Sequence, residues 1–214
     1  MKKNALLFVM GFFMFQTTVN GQFSIGLSNG LNISSEKRTR SQEPEYGSVK
    51  PDFNYFFGIT SKYDISPKVA IKGDIQYSPK GYKIDYTESE AVLRAKYSYI
   101  DILPGIEYSL NKNFAVGVGI NFGILLDYSI KAEKDEWTSL KDLEVIKPVD
   151  FGMTGCVKGY FGRFFLIASY NYGLSDISKI IFTDANGVPM ENQPKLFNRN
   201  FQLGAGYLFS MDNN

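Results

Sequence analysis

Six charged residues occur at alternate positions of otherwise apolar or small-residue segments, and they are the strongest candidates for a chemical role. They are Lys72, Asp74, Asp101, Glu107, Asp150 and Lys158. A lone charge is costly to bury, but charges of both signs on one face of a sheet can pair. The spacing therefore predicts a network of ion pairs on the inner face of a sheet. A path for protons or ions along the same residues is the alternative interpretation.

Enzymatic chemistry has little support in the remaining residues. The sequence contains no histidine, which removes Ser-His-Asp and Cys-His arrangements and the usual zinc sites. Asp101 and Glu107 are too far apart along one strand to share a proton. The acidic segments 133–136 and 184–191 lack the regular ligand spacing of an EF-hand loop. We predict that the protein is not an enzyme and binds neither a metal nor a cofactor.

The segments that contain the charged residues have a period of two, which is typical of β-strands with one apolar face. In the fifth segment, for example, Val116 and Val118 alternate with Gly117 and Gly119. Eight such segments are predicted as strands. They run approximately over Phe23–Ile33, Phe53–Tyr63, Val69–Tyr82, Tyr97–Leu110, Phe114–Tyr128, Val149–Tyr160, Phe164–Leu174 and Arg199–Phe209.

The links between these segments alternate in length. Short turns are predicted around Ser66–Pro67, Asn111–Asn113 and Phe161–Arg163, whereas long polar links run approximately over Ser34–Lys50, Asp85–Ala95, Lys131–Lys147 and Ile177–Asn198. In outer-membrane barrels the periplasmic turns are short and the extracellular loops are long. An even number of strands would then leave both chain termini in the periplasm.

The first residues predict an export signal. Met1 to Lys3 is a positively charged start, and an apolar stretch follows from Ala5 to Phe15. Cleavage after Gly21 would divide the chain into a signal peptide, residues 1–21, and a mature domain, residues 22–214. An uncleaved anchor is the alternative, although the apolar stretch is shorter than the ~20 residues of a spanning helix.

The composition favours a membrane barrel over other classes. The net charge of +1 offers no basic surplus for nucleic acid, so no nucleic-acid partner is expected. Aromatic residues make up 15% of the chain, and its tyrosines near strand ends, including Tyr82 and Tyr97, predict girdles at the membrane interface. The only cysteine is Cys156, so no internal disulfide can form.

These observations predict an all-β fold: an eight-stranded, antiparallel, up-and-down transmembrane β-barrel in the outer membrane of a Gram-negative cell. Its expected partners are outer-membrane lipid, the barrel assembly machinery during biogenesis, and other envelope proteins. The predicted role is non-enzymatic presentation of four extracellular loops, structural, adhesive or accessory to a larger complex. Tyr46 and Trp137 are the predicted loop contacts. A narrow channel or small-ligand carrier with a charged lumen is the alternative.

Several segments resemble the PorT-like family of small outer-membrane β-barrel proteins. The resemblance lies in Tyr77–Tyr82 (YSPKGY), Tyr99–Pro104 (YIDILP), Val149–Gly155 (VDFGMTG), Ser169–Leu174 (SYNYGL) and Asn200–Phe209 (NFQLGAGYLF). It implies the same eight-strand barrel. One branch of that family is implicated in protein secretion and gliding machinery, and the family supplies no catalytic residues.

Overall fold

The computed structural model describes residues 22–39, 47–86, 91–132, 135–183, 186–191 and 193–210. The predicted signal peptide and Tyr46 lie outside these residues. The strands are β1 (Phe23–Arg38), β2 (Gly47–Asp64), β3 (Val69–Tyr86), β4 (Val92–Ser109), β5 (Phe114–Ala132), the short β6 (Thr138–Ser139), β7 (Val149–Phe161), β8 (Phe164–Gly173) and β9 (Leu196–Ser210). A single 3₁₀ turn is described at Lys141–Leu143.

The eight long strands form a closed antiparallel ring, which confirms the predicted fold class. Each strand pairs with the next long strand along the chain, and β1 pairs with β9 to close the ring. The two-residue β6 lies outside this ring and pairs only with the far end of β5. Closure matters because a sheet without free edges satisfies its backbone N–H and C=O groups internally, as a lipid environment requires.

The three tight connections lie at the same end as the start of β1 and the end of β9, which we call the turn end. The side chain of Asn111 accepts hydrogen bonds from the N–H groups of Asn113 and Phe114 at 2.8 and 2.9 Å. Gly162, at φ +66°, supplies the left-handed residue of the turn between β7 and β8. The opposite end, which we call the loop end, holds the longer connections. Several strands extend further toward it than predicted, so those connections are shorter than expected.

Apolar side chains cover the outer face of the barrel, the reverse of a soluble protein. The exposed set on the long strands includes Leu27, Leu31, Phe53, Tyr55, Phe57, Ile59, Ile71, Ile75, Ile102, Ile106, Val116, Val118, Ile120, Phe122, Met153, Val157, Phe164, Leu166, Phe201 and Leu203. A continuous apolar surface of this extent needs a covering, and acyl chains supply one to a closed barrel. Among the described residues, no helix has the length and apolar character to span a membrane.

The barrel wall has irregularities in the β2–β3 and β4–β5 ladders, and side chains of β1 compensate for the first. A bulge interrupts the ladder between β2 and β3 near the middle of β2. Side chains from β1 reach the β3 backbone there: Asn32 Nδ2 donates to the carbonyl of Pro79 at 2.9 Å, and the N–H of Gly81 donates to Ser34 Oγ at 2.8 Å. These bonds give the two backbone groups partners that the bulge would otherwise remove.

Candidate functional site

All six charged residues of the sequence analysis lie inside the barrel, but they form three separate groups along it. The group nearer the loop end centres on a lysine outside that set. Lys80 Nζ lies 2.9 Å from Asp101 Oδ1 and 3.3 Å from Asp150 Oδ2. Asn198 Nδ2 donates to Asp150 at 2.8 Å, and the Ser175 hydroxyl donates to the same carboxylate at 3.2 Å. We call Lys80, Asp101 and Asp150 the buried triad.

The group nearer the turn end centres on Glu107. Its carboxylate lies 3.1 Å from Lys158 Nζ and 3.5 Å from Lys62 Nζ. The Tyr160 hydroxyl donates to it at 2.7 Å. Lys62 also lies 3.2 Å from Asp64 Oδ1, so the two lysines are balanced by two carboxylates. Lys62, Asp64 and Tyr160 line the turn-end opening, a cavity of about 920 Å³.

Lys72 and Asp74 form a further ion pair between these groups, at 3.4 Å, and the Thr60 hydroxyl donates to Asp74. Lys62 and Lys80 are the partners that the sequence analysis left out of the network. Both had a signal in the sequence, because each continues the alternation of its strand on the polar face.

Bulky apolar side chains fill the lumen between the charged groups. Phe56 and Phe165 are buried and point inward, where they lie over glycines of neighbouring strands. A Cβ at Gly204 would lie 2.6 Å from the Phe56 ring, so glycine is what allows that ring to lie flat against the wall. The remaining space beside these rings is about 20 Å³. That volume is close to the room one water molecule needs, and it does not form a passage.

The loop end is closed by an apolar cluster that the sequence analysis did not predict. Its buried members are Tyr82, Ile84, Ala95, Tyr97, Tyr99, Ile146 and Ile177. The prediction that Tyr82 and Tyr97 belong to an interfacial girdle is wrong, because both are buried inside the barrel. Ile146 and Ile177 come from links that were predicted to be polar loops, and they pack onto the inward tyrosines.

Two of these links form a fixed cap over the cluster: residues 144–148, before β7, and residues 174–179, after β8. The Lys147 N–H donates to Ile177 O at 2.8 Å, and the Lys179 N–H donates to Val145 O at 2.8 Å. The ammonium of Lys147 also lies 2.8 Å from the carboxylate of Asp176. Main-chain hydrogen bonds and a side-chain ion pair therefore hold the two segments of the cap together.

Asp176 is the polar centre of this cap. Burial raises the pKa of its carboxyl, but hydrogen bonds from the Leu196 N–H, from Lys147 and from the Ser178 N–H outweigh that effect and hold the pKa below its ordinary value. A carboxyl with a lowered pKa stabilises the folded cap above the ordinary carboxyl pKa, and this contribution disappears as the pH falls through the lowered value.

Asp176→Asn is therefore expected to loosen the cap at neutral pH, because the amide cannot hold the Lys147 ammonium as an anion does. Amide hydrogen-exchange protection factors of residues 174–179 are expected to fall in this variant, and in the wild type only under strongly acidic conditions. Asp142→Asn, in the exposed 3₁₀ turn, is the control and is expected to leave these factors unchanged. Equal loss of protection in both variants would contradict the assignment.

Trp137 lies in the link between β5 and β7, with 38% of its surface exposed. The Lys96 ammonium lies 4.1 Å from its ring centroid, a cation–π distance. One face of the Trp137 ring is therefore already in contact with Lys96 of β4. Among the described residues, no group of three or more metal-ligating side chains comes together.

A closed eight-strand ring, a lipid-type outer face and a filled lumen define a small transmembrane β-barrel. The outer membrane protein beta-barrel domain family matches residues 14–179, and the chain belongs to that family, which implies an outer-membrane location. Neisserial surface protein A is similar in structure, with 12% identity, 89% of this chain and 100% of that chain covered, and a TM-score of 0.51. Ail, the attachment invasion locus protein of Yersinia pestis, has 15% identity, 87% and 98% coverage, and a TM-score of 0.48. No curated protein matches the sequence.

Proposed function

We propose that this outer-membrane barrel is a non-enzymatic attachment protein whose loop end contacts another macromolecule of the cell envelope or surface. The observation that supports this most directly is the combination of a filled lumen with apolar side chains exposed at the loop end. In a barrel with a filled lumen, a partner outside the membrane can reach only the side chains at the two ends. An accessory role in a secretion complex, as the PorT-like resemblance implies, is one form of this function.

The exposed side chains lie on a segment of the link between β8 and β9, residues 180–183 and 186–191, which we call the apolar arm. Ile181 is 68% exposed, and Val188 and Met190 are also exposed. The arm has a defined conformation, since Gln193 Nε2 donates to the carbonyls of Phe182 and Met190, both at 2.9 Å. Exposed apolar side chains on a preorganised segment favour contact with a protein partner.

Photo-crosslinking in intact cells of the native host tests this contact. A benzophenone side chain at position 181 is expected to give protein adducts. The same group at Ile71, which faces outward on β3, is expected to give lipid adducts only. Protein adducts at both positions, or at neither, would contradict a specific contact at the arm.

The proposal requires the loop end to face outward and the termini to lie in the periplasm. A cysteine at Val188 is then expected to react with a membrane-impermeant maleimide on intact cells. A cysteine at Lys68, in a turn-end connection, is expected to react only after the outer membrane is permeabilised. The native Cys156 is buried and serves as the unlabelled background. The reverse pattern of labelling would overturn this orientation.

Ion conduction through the charged lumen is not favoured, because Phe56, Phe165 and the ion pairs fill the section that an ion would cross. The purified protein is expected to be silent in a planar lipid bilayer in which a general porin conducts. Discrete conductance steps that disappear in Lys72→Ala or Asp101→Ala would contradict the attachment proposal in favour of a channel.

A further inference from the structure

A second cavity lies at the loop end, above the buried cluster and apart from the charged lumen. It has a volume of about 300 Å³ and lies between the rim of the barrel and the links that fold over it. Arg38, Tyr82 and Tyr128 belong to its barrel side, and Ile146 and Ile180 belong to its link side. This volume is at the lower end of the range for small-molecule sites.

Three tyrosines form a packed aromatic wall on the barrel side. The ring centroids of Tyr82 and Tyr97 lie 6.3 Å apart, and those of Tyr97 and Tyr128 lie 5.0 Å apart in a stacked arrangement. The hydroxyl of Tyr97 donates to Glu36 Oε2 at 3.3 Å, which fixes the central ring. A preorganised aromatic wall can hold a flat or aliphatic body at little entropic cost.

The charges around the cavity are unbalanced. Two cationic side chains, Arg38 and Lys195, line it, and no acidic side chain is among the described residues of its lining. Glu36 lies behind Arg38, bonded to the guanidinium through Nε and one terminal nitrogen. It offsets one of the two positive charges. The guanidinium also lies over the Tyr82 ring, 5.2 Å from its centroid. The cavity therefore combines an apolar wall with one net positive charge.

We propose that this cavity binds a small amphipathic anion, a molecule with an aromatic or short aliphatic body and one carboxylate. The body would lie against the tyrosines, Ile146 and Ile180, and the carboxylate would accept hydrogen bonds from Arg38 and Lys195. A charge-assisted pair of this kind adds geometric specificity to apolar contact. The cavity shares Ile180 and Phe182 with the apolar arm, but it does not require a protein contact at the exposed Ile181, which does not line it.

The test measures binding of 4-phenylbutyrate to the full mature chain in lipid nanodiscs by isothermal titration calorimetry, with empty nanodiscs as the blank. Saturable binding with one site is expected. Ile180→Trp, which fills the cavity, is expected to weaken binding at least about tenfold, equivalent to ~1.4 kcal/mol. Ile181→Trp is the matched control, because Ile181 is adjacent to Ile180 in the chain but is exposed and does not line the cavity.

The charge is tested separately. Lys195→Gln is expected to weaken 4-phenylbutyrate binding. Lys179→Gln is the control and is expected to leave binding unchanged. Lys179 lies in a link that borders the cavity, but its ammonium is 3.1 Å from Glu144. Equal affinity for the neutral 4-phenylbutanol would overturn the assignment of an anion. Non-saturable uptake equal to that of empty nanodiscs, or equal binding by the two tryptophan variants, would overturn the site itself. Unchanged heat-modifiable migration on gels verifies that each variant is folded.

Discussion

Replacing Lys80 by methionine is expected to lower the free energy of unfolding by about 3–5 kcal/mol, the cost of breaking a buried ion pair by removing one partner. The side chains of Lys80, Asp101 and Asp150 are at most 1% exposed, so water cannot screen the two carboxylates that remain. The midpoint of urea unfolding in lipid vesicles, followed by the folded band on unboiled gels, measures this effect.

The matched control is Lys83→Met, on the same strand. Lys83 lies 3.7 Å from Asp85, and both side chains are partly exposed, so this pair contributes little. The triple variant Lys80→Met, Asp101→Asn, Asp150→Asn is expected to recover much of the loss, because it removes the uncompensated charges together. A Lys80→Met barrel as stable as the control would show that the triad is not a structural unit.

The second large effect concerns the outer face. Val118→Arg is expected to destabilise the folded barrel in lipid vesicles by about 2–4 kcal/mol, since a charge near the middle of the bilayer loses its hydration. Val118 is 68% exposed and is the fifth residue of β5, counted from the turn end. The same urea series in lipid vesicles measures the change.

Leu143→Arg is the control for exposure alone. Leu143 is 63% exposed, nearly as much as Val118, but it belongs to the 3₁₀ turn at the loop end. An arginine there would remain in water and is expected to change stability by a few tenths of a kcal/mol, as for ordinary surface substitutions. Similar losses at both positions would mean that the outer face of β5 does not contact acyl chains.

The alternation of the sequence was sufficient to predict the eight long strands and their antiparallel order. The prediction succeeds because the side chains of a strand alternate strictly between its two faces, and the face in contact with lipid requires apolar residues. Lys80 was missed although it continues the alternation of Lys72 and Asp74. Its neighbours Pro79 and Gly81 are residues that usually end a strand, and here the bulge and the β1 side chains accommodate them.

The closed loop end could not be predicted from local patterns. Tyr82 and Tyr97 have the amphipathic character of girdle residues, and only the packing of Ile146 and Ile177 onto them makes the inward position favourable. Those two isoleucines lie in charged links, and their contacts are with segments distant in sequence. Phe56 is a similar case: it is an apolar residue at a polar-face position of β2, and the space for its ring comes from glycines on other strands.

The unequal lengths of the strands determine how far the protein reaches above the membrane. β8 has 10 residues and β5 has 19, and both begin at the turn end. At about 3.3 Å per residue and a tilt near 45°, β8 just crosses an apolar layer of roughly 25 Å, whereas β5 continues for about 20 Å more. The flank of the barrel that contains β5 would therefore project above the lipid headgroups. On the flank of β7 and β8, with 13 and 10 residues, a large partner would come closer to the lipid surface than it would beside β5.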